Sequence, residues 1–347
     1  MLVAFFLSLV MTAAFIHLLR RTRIGKVFLD YPKARGLHAV PVPRVGGLAM
    51  FASVWLLAGY WLQRDLLACI GVLSLVLLAI SLLDDLHPIS ALMRLLVHAS
   101  AAILSVLLWV QAFGTMPEQA GIPLQSLMSP AGAIGIVFCV VWMTNLYNFM
   151  DGADGLAGGM AFIGFGTFAI AASLAPGSTD SLVALTTIIS GAASGFLLLN
   201  FPPAKIFMGD AGAIPLGFLA ATLGIHGSVL GIWEWWFALL VFSPFIVDAT
   251  VTLFRRTTQG YRPWIAHRDN YYQRLILSGW SQRKTALAYY GFMLAAAGSA
   301  LGVTQTRAAS ATLLAWVIIY ALLLLLLERC LHEKKNNKSK NNDRETT

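Results

Sequence analysis

The chain has 347 residues, of which 58% are hydrophobic and only 12% are charged, and its mean hydropathy is +0.74. A soluble domain needs more surface charge to stay dispersed, so this composition excludes a soluble globular protein and indicates one embedded in lipid. The net charge of +8 does not indicate nucleic-acid binding, because membrane topology explains where the basic residues lie.

Apolar stretches long enough to cross a bilayer, about 20 residues each, recur along most of the sequence. They predict an all-α polytopic membrane protein with about eleven transmembrane helices. The predicted spans are residues 2–19, 46–62, 66–83, 92–112, 131–149, 156–174, 182–199, 213–229, 233–253, 285–303 and 309–327.

The basic residues fall almost entirely on one side of this predicted bundle. With eleven spans, 22 of the 24 Lys and Arg residues share the face of the C-terminus, and only Arg64 and Arg307 lie opposite. Because positive residues accumulate in cytoplasmic loops, the split predicts a periplasmic N-terminus and a cytoplasmic C-terminus. We expect one transmembrane domain over residues 1–328 and a basic, disordered cytoplasmic tail over 329–347, with a positive face that attracts anionic membrane lipids.

Carboxylates gather at the predicted cytoplasmic boundary, although each costs on the order of 2.5–3.5 kcal/mol at mid-bilayer. The first group is the pair Asp84-Asp85, where the third span reaches the cytoplasm. Adjacent acids repel each other unless a cation or a proton intervenes, which favours a functional pair. The alternative is a solvated helix end, where negative charge is unfavourable.

The second group is the segment NLYNFMDGADGLAGG, which contains Asn145, Asn148, Asp151 and Asp154. The last three are spaced three residues apart, so they share a helical face or a tight loop, and the glycines allow close approach to a ligand. Oxygen ligands of this kind suit Mg²⁺ or Mn²⁺. A glycine-rich turn capped by Asp residues is the simpler alternative.

The third group is the segment NFPPAKIFMGDAG, which contains Lys205, Gly209 and Asp210. Its two prolines end a helix, and Lys205 offers a cation for phosphate. Asp210 is predicted to begin the next helix, where the helix dipole favours a carboxylate or a phosphate held through a metal. A simple helix cap is the alternative for Asp210.

Two basic segments complete the predicted cytoplasmic face. Residues 30–47 contain His38 and Arg44, and residues 255–274 contain His267, Arg268 and Arg274. The second segment mixes cations with aromatic rings, which suits a nucleotide base and its phosphates. An ordinary positive-inside loop is the alternative.

Asp248 lies two helical turns before Arg255, and we interpret it either as an ion-pair partner of Arg255 and Arg256 or as a catalytic residue. Taken together, the cytoplasmic face combines clustered acids, glycine-rich loops, a lysine and an arginine-aromatic loop. Carboxylates facing cations and phosphates are typical of metal-assisted phosphoryl transfer.

The motifs, in this order, resemble those of the polyprenyl-phosphate N-acetylhexosamine-1-phosphate transferase family. The matching pieces are DDLHPISALMR, NLYNFMDGADGLAGG, FPPAKIFMGDAG, PFIVDATVTLFRR and HRDNYYQRL, and DYPKARGLHAVPVPRVGG is similar to O-antigen-initiating members. The resemblance covers nearly the whole chain. It implies transfer of a sugar-1-phosphate from a UDP-N-acetylhexosamine to undecaprenyl phosphate, with release of UMP, at the cytoplasmic face of the bacterial inner membrane.

The same resemblance implies roles for individual residues and makes residues 1–328 a catalytic domain. Asp210 would hold Mg²⁺, with Mn²⁺ as a substitute, and Asp84 and Asp85 would contact the lipid phosphate or act in base catalysis. The metal set is completed by Asn148, Asp151 and Asp154. The catalytic set also includes Asp154 and His267, and the substrate-binding set comprises His38, Arg44, Asn145, Lys205, Gly209, Arg268 and Arg274.

One motif departs from the family pattern. Many relatives carry His-x-His-His before an Arg-Leu pair, whereas this chain has Asn270-Tyr271-Tyr272-Gln273 before Arg274-Leu275, with His267 upstream. The acid/base or diphosphate contacts of the histidines are therefore not transferred to this chain, and we expect different sugar handling.

Two other classes of protein remain as alternatives. A transporter or flippase for a phosphorylated lipid or sugar predicts charged or broken segments near the bilayer midplane, whereas the acids here lie at loop ends. An alcohol phosphotransferase needs an Ala-Arg pair after its first Asp-Gly, where this chain has Leu156-Ala157-Gly158. The identity of the amino sugar and a homodimeric state are left open.

Overall fold

The computed structural model describes residues 1–31, 40–60, 66–113, 129–262, 265, 267–303 and 308–345. About 80% of the structure is helical, which confirms the predicted all-α class. The strands within these ranges are two residues long each, β1 (Leu29–Asp30) and β2 (Val42–Pro43), and they pair antiparallel.

Fourteen helices are numbered here in chain order within the described residues. They are α1 (Leu2–Arg21), α2 (Arg23–Val27), α3 (Gly46–Ala58), α4 (Leu66–Leu86), α5 (Ala91–Phe113), α6 (Pro130–Phe149), α7 (Leu156–Leu174), α8 (Asp180–Asn200), α9 (Asp210–Val229), α10 (Trp235–Val241), α11 (Ser243–Thr258), α12 (Tyr271–Leu277), α13 (Gln282–Val303) and α14 (Ala309–Glu345).

Nine helices of the described chain are long and apolar enough to cross a membrane, namely α1, α4 to α9, α13 and α14. The pair α10 and α11 gives a tenth candidate, and α3, with 13 residues, is shorter than the about 20 that a span needs. Every predicted apolar segment therefore overlaps a helix. The count of eleven spans and the orientation of the termini stay predictions.

The sequence predicts the ninth span as one continuous helix over residues 233–253, but the structure divides it into two helices. Its two halves, α10 and α11, meet at Phe242 with a bend of 77°. Pro244 lies in the first turn of α11, where its missing N–H breaks no hydrogen bond of α11. Helix α10 cannot continue through Pro244, because proline has no N–H to donate to the preceding turn and its ring would clash there.

The centre of the bundle is formed by α7, α8 and α9, whose apolar windows are 78%, 72% and 89% buried. These helices are rich in Gly and Ala, so that neighbouring helices approach closely. A Cβ atom at Gly191 in α8, for example, would lie 2.4 Å from the carbonyl oxygen of Phe5 in α1. By contrast, only 6% of the window of α14 is buried, so this helix lies at the periphery.

Two further features lie at the ends of the bundle. The pairing of Leu29 with Pro43 and of Asp30 with Val42 brings the residues on either side of positions 32–39 together. The last helix, α14, continues past its predicted span to Glu345. The division of the chain at residue 328 stays a prediction.

Candidate active site

Two segments of the chain meet at the beginning of α9. The backbone N–H groups of Gly46 and Gly47 donate to the carbonyl oxygens of Phe207 and Met208, both at 3.0 Å, and the N–H of Phe207 donates to Pro43 at 2.9 Å. The basic segment before α3 is thereby fixed against the segment that leads into Asp210.

The two helices that follow this junction touch backbone to backbone. A Cβ atom at Gly47 would lie 2.4 Å from the Cα of Gly212. Backbone cannot move aside as a flexible side chain can, so the contact requires glycine at position 47. The pair Gly46-Gly47 therefore has a packing reason in addition to any role at a ligand.

Gly209 is the point at which the acids converge. Its φ of 74° is readily adopted by glycine, and its N–H donates to the carboxylate of Asp151. The Oδ2 atom of Asp85 lies 4.0 Å from the position of a Cβ at Gly209, and Asp210 is the next residue. Acids from α4, from the loop after α6 and from the start of α9 thus surround one backbone position.

Arg44 is the cation of this cluster, which we call the carboxylate cluster and define as Asp85, Asp151 and Asp210 with Arg44. Its Nη1 lies 3.4 Å from Asp85 Oδ1, and its Nε lies 3.5 Å from Asp30 Oδ2. Burial alone would lower the pKa of Arg44, but Asp30, Asp210, Asp85 and Asp151 outweigh it and raise that pKa. One guanidinium therefore balances several carboxylates.

Asp151 shows the electrostatic effect of this crowding. Burial raises the pKa of its carboxyl group to about 8, and the nearby carboxylates of Asp210 and Asp154 add to the rise. Arg44 and the N–H of Gly209 act in the opposite direction. Without a further cation, the carboxyl group of Asp151 therefore binds a proton more tightly than an exposed Asp does.

The cluster has the donor chemistry of a Mg²⁺ site but not a complete cage. Among the described residues, no three His, Cys, Asp or Glu side chains form a ready-made metal site. Asp85 Oδ2 is buried and accepts no hydrogen bond from a described residue, so a lone pair remains for a ligand. Mg²⁺ is usually held by one or two carboxylates together with waters and substrate phosphates, and this arrangement fits that pattern.

Asp84 points away from the carboxylate cluster. Its Oδ1 accepts a hydrogen bond of 2.6 Å from the N–H of Ile89, and its Oδ2 lies 2.7 Å from Nη1 of Arg94. Both oxygens thus hold the turn between α4 and α5. The structure separates the two adjacent acids that the sequence presents as a pair.

Asp154 joins two of the motif loops. Its Oδ2 accepts from the N–H of Ala204 at 2.9 Å, and its own N–H donates to Gln282 Oε1 at 2.7 Å. Asn200 adds a second connection, because its amide oxygen accepts from Gly155 and its amide nitrogen donates to Ile206. These contacts hold the glycine-rich loop against the segment that contains Lys205.

The remaining members of these two motifs lie at different depths. Asn145 donates to the carbonyl of Val141 at 2.7 Å and also bonds to His98, so its side chain stays within the helix bundle. Asn148 is half-buried one turn before Asp151. Lys205 is exposed and forms no ion pair with a described residue, so its ammonium group is available to a phosphate.

The second basic segment is organised around Glu328 in α14. Arg274 makes a two-pronged ion pair with Glu328, with distances of 2.5 and 2.8 Å. Arg255 donates to the same carboxylate at 2.6 Å, as does the hydroxyl of Tyr271 at 2.8 Å. Arg274, predicted to bind substrate, is thus engaged in linking α12 to α14.

Asp248 does not pair with Arg255 or Arg256, which was one of the two roles predicted for it. Its carboxylate accepts from the N–H groups of Tyr271 and Tyr272 at 2.8 and 3.1 Å, and from the hydroxyl of Tyr289 at 2.5 Å. A carboxylate at a helix N-terminus stabilises the unpaired N–H groups there. Asp248 therefore holds the first turn of α12, and Arg256 pairs with Asp269 instead.

His267 lies beside the glycine-rich loop, with its ring 6.5 Å from that of Phe149. Burial lowers the pKa of His267, as does the positive charge of Arg256, which favours the neutral imidazole. Arg268 is half-buried. His38 lies outside the described residues.

Comparison with known proteins agrees with the motifs. The sequence pattern of Glycosyl transferase family 4 matches residues 67–228. A probable undecaprenyl-phosphate N-acetylglucosaminyl 1-phosphate transferase of Bacillus subtilis is 29% identical over 83% of this chain and 80% of its own length. An undecaprenyl-phosphate alpha-N-acetylglucosaminyl 1-phosphate transferase of Salmonella typhimurium is 28% identical over 90% and 85%.

A decaprenyl-phosphate N-acetylglucosaminephosphotransferase of Mycolicibacterium smegmatis is 32% identical over 77% of this chain and 73% of its own length. This chain belongs to the polyprenyl-phosphate N-acetylhexosamine-1-phosphate transferase family. The family resemblance based on the motifs is thereby confirmed. The similarity to O-antigen-initiating members in particular stays a prediction.

Several residues of this family member were not singled out from the sequence. Asp30 forms an ion pair with Arg44, and Glu328 forms ion pairs with Arg255 and Arg274. Tyr272 contacts the glycine-rich loop. The position of Asp30 at the start of a motif segment was a usable signal. Glu328 gave none, because it follows an apolar span and its partners lie 54 to 73 residues away.

Proposed function

We propose that this transferase moves an N-acetylhexosamine-1-phosphate from a UDP-sugar to undecaprenyl phosphate, giving an undecaprenyl-diphosphate sugar and UMP. The observation that carries the proposal is the convergence of Asp85, Asp151 and Asp210 around Gly209, with Arg44 among them. Relatives that are named as polyprenyl-phosphate N-acetylglucosamine-1-phosphate transferases align with most of the length of this chain.

The first chemical requirement is a nucleophile. A phosphate monoester has a second pKa near ~6, so the acceptor is already mostly ionised at neutral pH. A general base is then less necessary than a group that positions the phosphate. Asp85, next to Arg44, would orient the lipid phosphate or its counter-cation rather than remove a proton.

The second requirement is stabilisation of the diphosphate. An oxygen of the lipid phosphate attacks the β-phosphorus of the UDP-sugar, and the bond between that phosphorus and the oxygen bridging to UMP breaks. Asp210 and Asp151 would hold Mg²⁺, or Mn²⁺ in its place, whose charge stabilises the oxygens as this bond breaks. Lys205 and Arg44 would bind the phosphates from the protein side.

The cellular setting follows from the same proposal. We place the enzyme in the bacterial inner membrane with eleven spans, a periplasmic N-terminus and a cytoplasmic active site, as the distribution of basic residues indicates. Its product would begin O-antigen or a similar surface polysaccharide.

The test measures UMP release by purified protein supplied with undecaprenyl phosphate, Mg²⁺ and a panel of UDP-N-acetylhexosamines. We expect release with at least one sugar and a loss of at least about 100-fold in Asp210→Asn, the usual scale when a transition-state charge stabiliser is removed. Asp180→Asn is the matched control, because Asp180 also begins a helix but lies far from the carboxylate cluster in the predicted topology.

Two results would contradict the proposal. UMP release by Asp210→Asn at the wild-type rate would exclude Asp210 from the reaction. No release by the wild type with any sugar would exclude transfer and return the membrane transporter to consideration.

A further inference from the structure

Tyr272 lies directly against the glycine-rich loop. It is fully buried, and a Cβ atom at Gly152 would lie 2.1 Å from its hydroxyl oxygen. The hydroxyl donates to the carbonyl of Phe149 at 3.0 Å, and it accepts from the N–H of Gly152 and from the side chain of Gln273. One hydroxyl group thus joins both ends of the turn that contains Asp151.

The turn that presents Tyr272 is itself held firmly. Asn270 and Gln273 form a reciprocal cap at the start of α12, and the amide of Asn270 also donates to the sulfur of Met150 at 3.2 Å. Asp248 accepts from the backbone N–H of Tyr272. The Tyr272 side chain is fixed at its backbone and its ring is buried, so it has little freedom to move. The position of the glycine-rich loop therefore depends on the position of the Tyr272 hydroxyl.

Asp151 is the residue whose place depends on this contact. It lies between Phe149 and Gly152, the two residues bonded to the Tyr272 hydroxyl, and its carboxylate accepts from Gly209 next to Asp210. A shift of the turn would move the Asp151 carboxylate relative to Asp210. Misplacement of a reacting group by about 1 Å can reduce a rate about 100-fold.

We propose that Tyr272 is a positioning residue whose hydroxyl fixes the turn from Phe149 to Gly152 and thereby the Asp151 carboxylate of the active site. This inference rests on the proposed transferase function. It gives Tyr272 and its capping partners Asn270 and Gln273 a role of their own in the segment where many relatives carry histidines.

The structure provides a suppression experiment. Gly152→Ala places a methyl group where the Tyr272 hydroxyl lies, whereas in the double variant with Tyr272→Phe the nearest atoms, the ring carbon Cζ and Gln273 Nε2, are 3.2 Å away. That spacing is tight but requires shifts of only a few tenths of an ångström. The second substitution should therefore relieve the first.

The measurements are kcat and KM for UMP release, UDP binding by calorimetry, and the thermal unfolding midpoint in detergent. We expect Gly152→Ala to lose about 100-fold in kcat, and the double variant to recover at least about tenfold of that loss. Tyr272→Phe alone should lower kcat at least about fivefold and also lower the midpoint, because it removes the buried hydroxyl that bonds to Phe149, Gly152 and Gln273.

Tyr271→Phe is the matched control, because that hydroxyl lies on the same helical turn but bonds to Glu328. It should not restore Gly152→Ala. A Tyr272→Phe variant with a lower midpoint but unchanged kcat and UDP binding would show a merely structural role and overturn the inference. Absence of rescue in the double variant would also overturn it, whereas an inactive wild type would refute the proposed function itself.

Discussion

Asp84→Asn and Asp85→Asn are isosteric changes at adjacent residues, and the structure predicts opposite effects on stability and turnover. Asp84 holds the turn between α4 and α5 through Ile89 and Arg94, whereas Asp85 faces Arg44 and keeps one buried oxygen without a partner among the described residues. Asp84→Asn should therefore reduce stability and largely preserve turnover. Asp85→Asn should reduce turnover and preserve stability.

The magnitude for Asp84 follows from its contacts. A hydrogen bond to a charged group contributes about 1.5–3 kcal/mol, but the Arg94 side chain is 39% exposed, which weakens the ion pair through solvent screening. In Asp84→Asn the amide oxygen can still accept from the N–H of Ile89, so only part of this contribution is lost. The net loss should be about 1–2 kcal/mol, a decrease of about 2–8 °C in the unfolding midpoint.

The effects expected for Asp85→Asn follow from a carboxylate oxygen that has no hydrogen-bond partner among the described residues. This atom is the buried Oδ2, and an unsatisfied buried group costs about 1–3 kcal/mol. Replacing the carboxylate by an amide removes one negative charge from a crowded site, so the midpoint should stay the same or rise. Turnover should fall at least about 100-fold if Asp85 positions a charged reactant.

The assay pairs thermal unfolding in detergent with UMP release per folded molecule. Arg94→Ala provides the control, because its effect on the midpoint should not add to that of Asp84→Asn if the two side chains stabilise the same turn. An inactive Asp84→Asn with an unchanged midpoint, together with an active Asp85→Asn, would refute the assignment of the two acids.

Further predictions concern the rest of the site. Glu328→Gln should lower the unfolding free energy by about 1 kcal/mol, measured by thermal unfolding, because Arg274 and Arg255 lose their shared carboxylate, whose side chain is 40% exposed and screened by solvent. Gly47→Ala should destabilise by about 1–3 kcal/mol or more by the same measurement, since its methyl group would meet the backbone of α9. Chelation of divalent cations should abolish UMP release, and added Mg²⁺ should restore it. The raised pKa of Asp151 means that the folded state binds its proton more tightly than the unfolded state, so without divalent cations the midpoint should fall as the pH rises from about 4 to about 8. Asp151→Asn should flatten that slope, and a slope unchanged in this variant would contradict the assignment.

The helical bundle could be predicted because lipid exposure imposes a simple rule on composition. Long apolar stretches such as those of α4 and α8 have one structural solution in a bilayer. The bend at Phe242 was missed because the residues on both sides are apolar, and a hydropathy pattern contains no information about direction. Pro244 was the available signal, since proline near a span centre predicts a break.

The site could be predicted as a set of loops but not in its internal contacts. Motif spacing identified Asp85, Asp151 and Asp210, yet the same spacing could not distinguish Asp84 from Asp85, because adjacent residues on a helix point about 100° apart and only packing decides which one faces inward. Asp248 illustrates a second limit. Its sequence neighbours suggested an ion pair, whereas its partners Tyr271 and Tyr289 are more than 20 residues away.

The shared guanidinium of Arg44 has a consequence for the order in which reactants arrive. Even with Asp151 protonated, Asp30, Asp85 and Asp210 outnumber this one cation, so the potential beside Arg44 is locally negative although the surrounding face is basic. A bare nucleotide-sugar would be repelled, whereas one already paired with a divalent cation would approach nearly neutral. We therefore expect initial rates to follow the concentration of the cation–nucleotide complex rather than that of the free nucleotide-sugar.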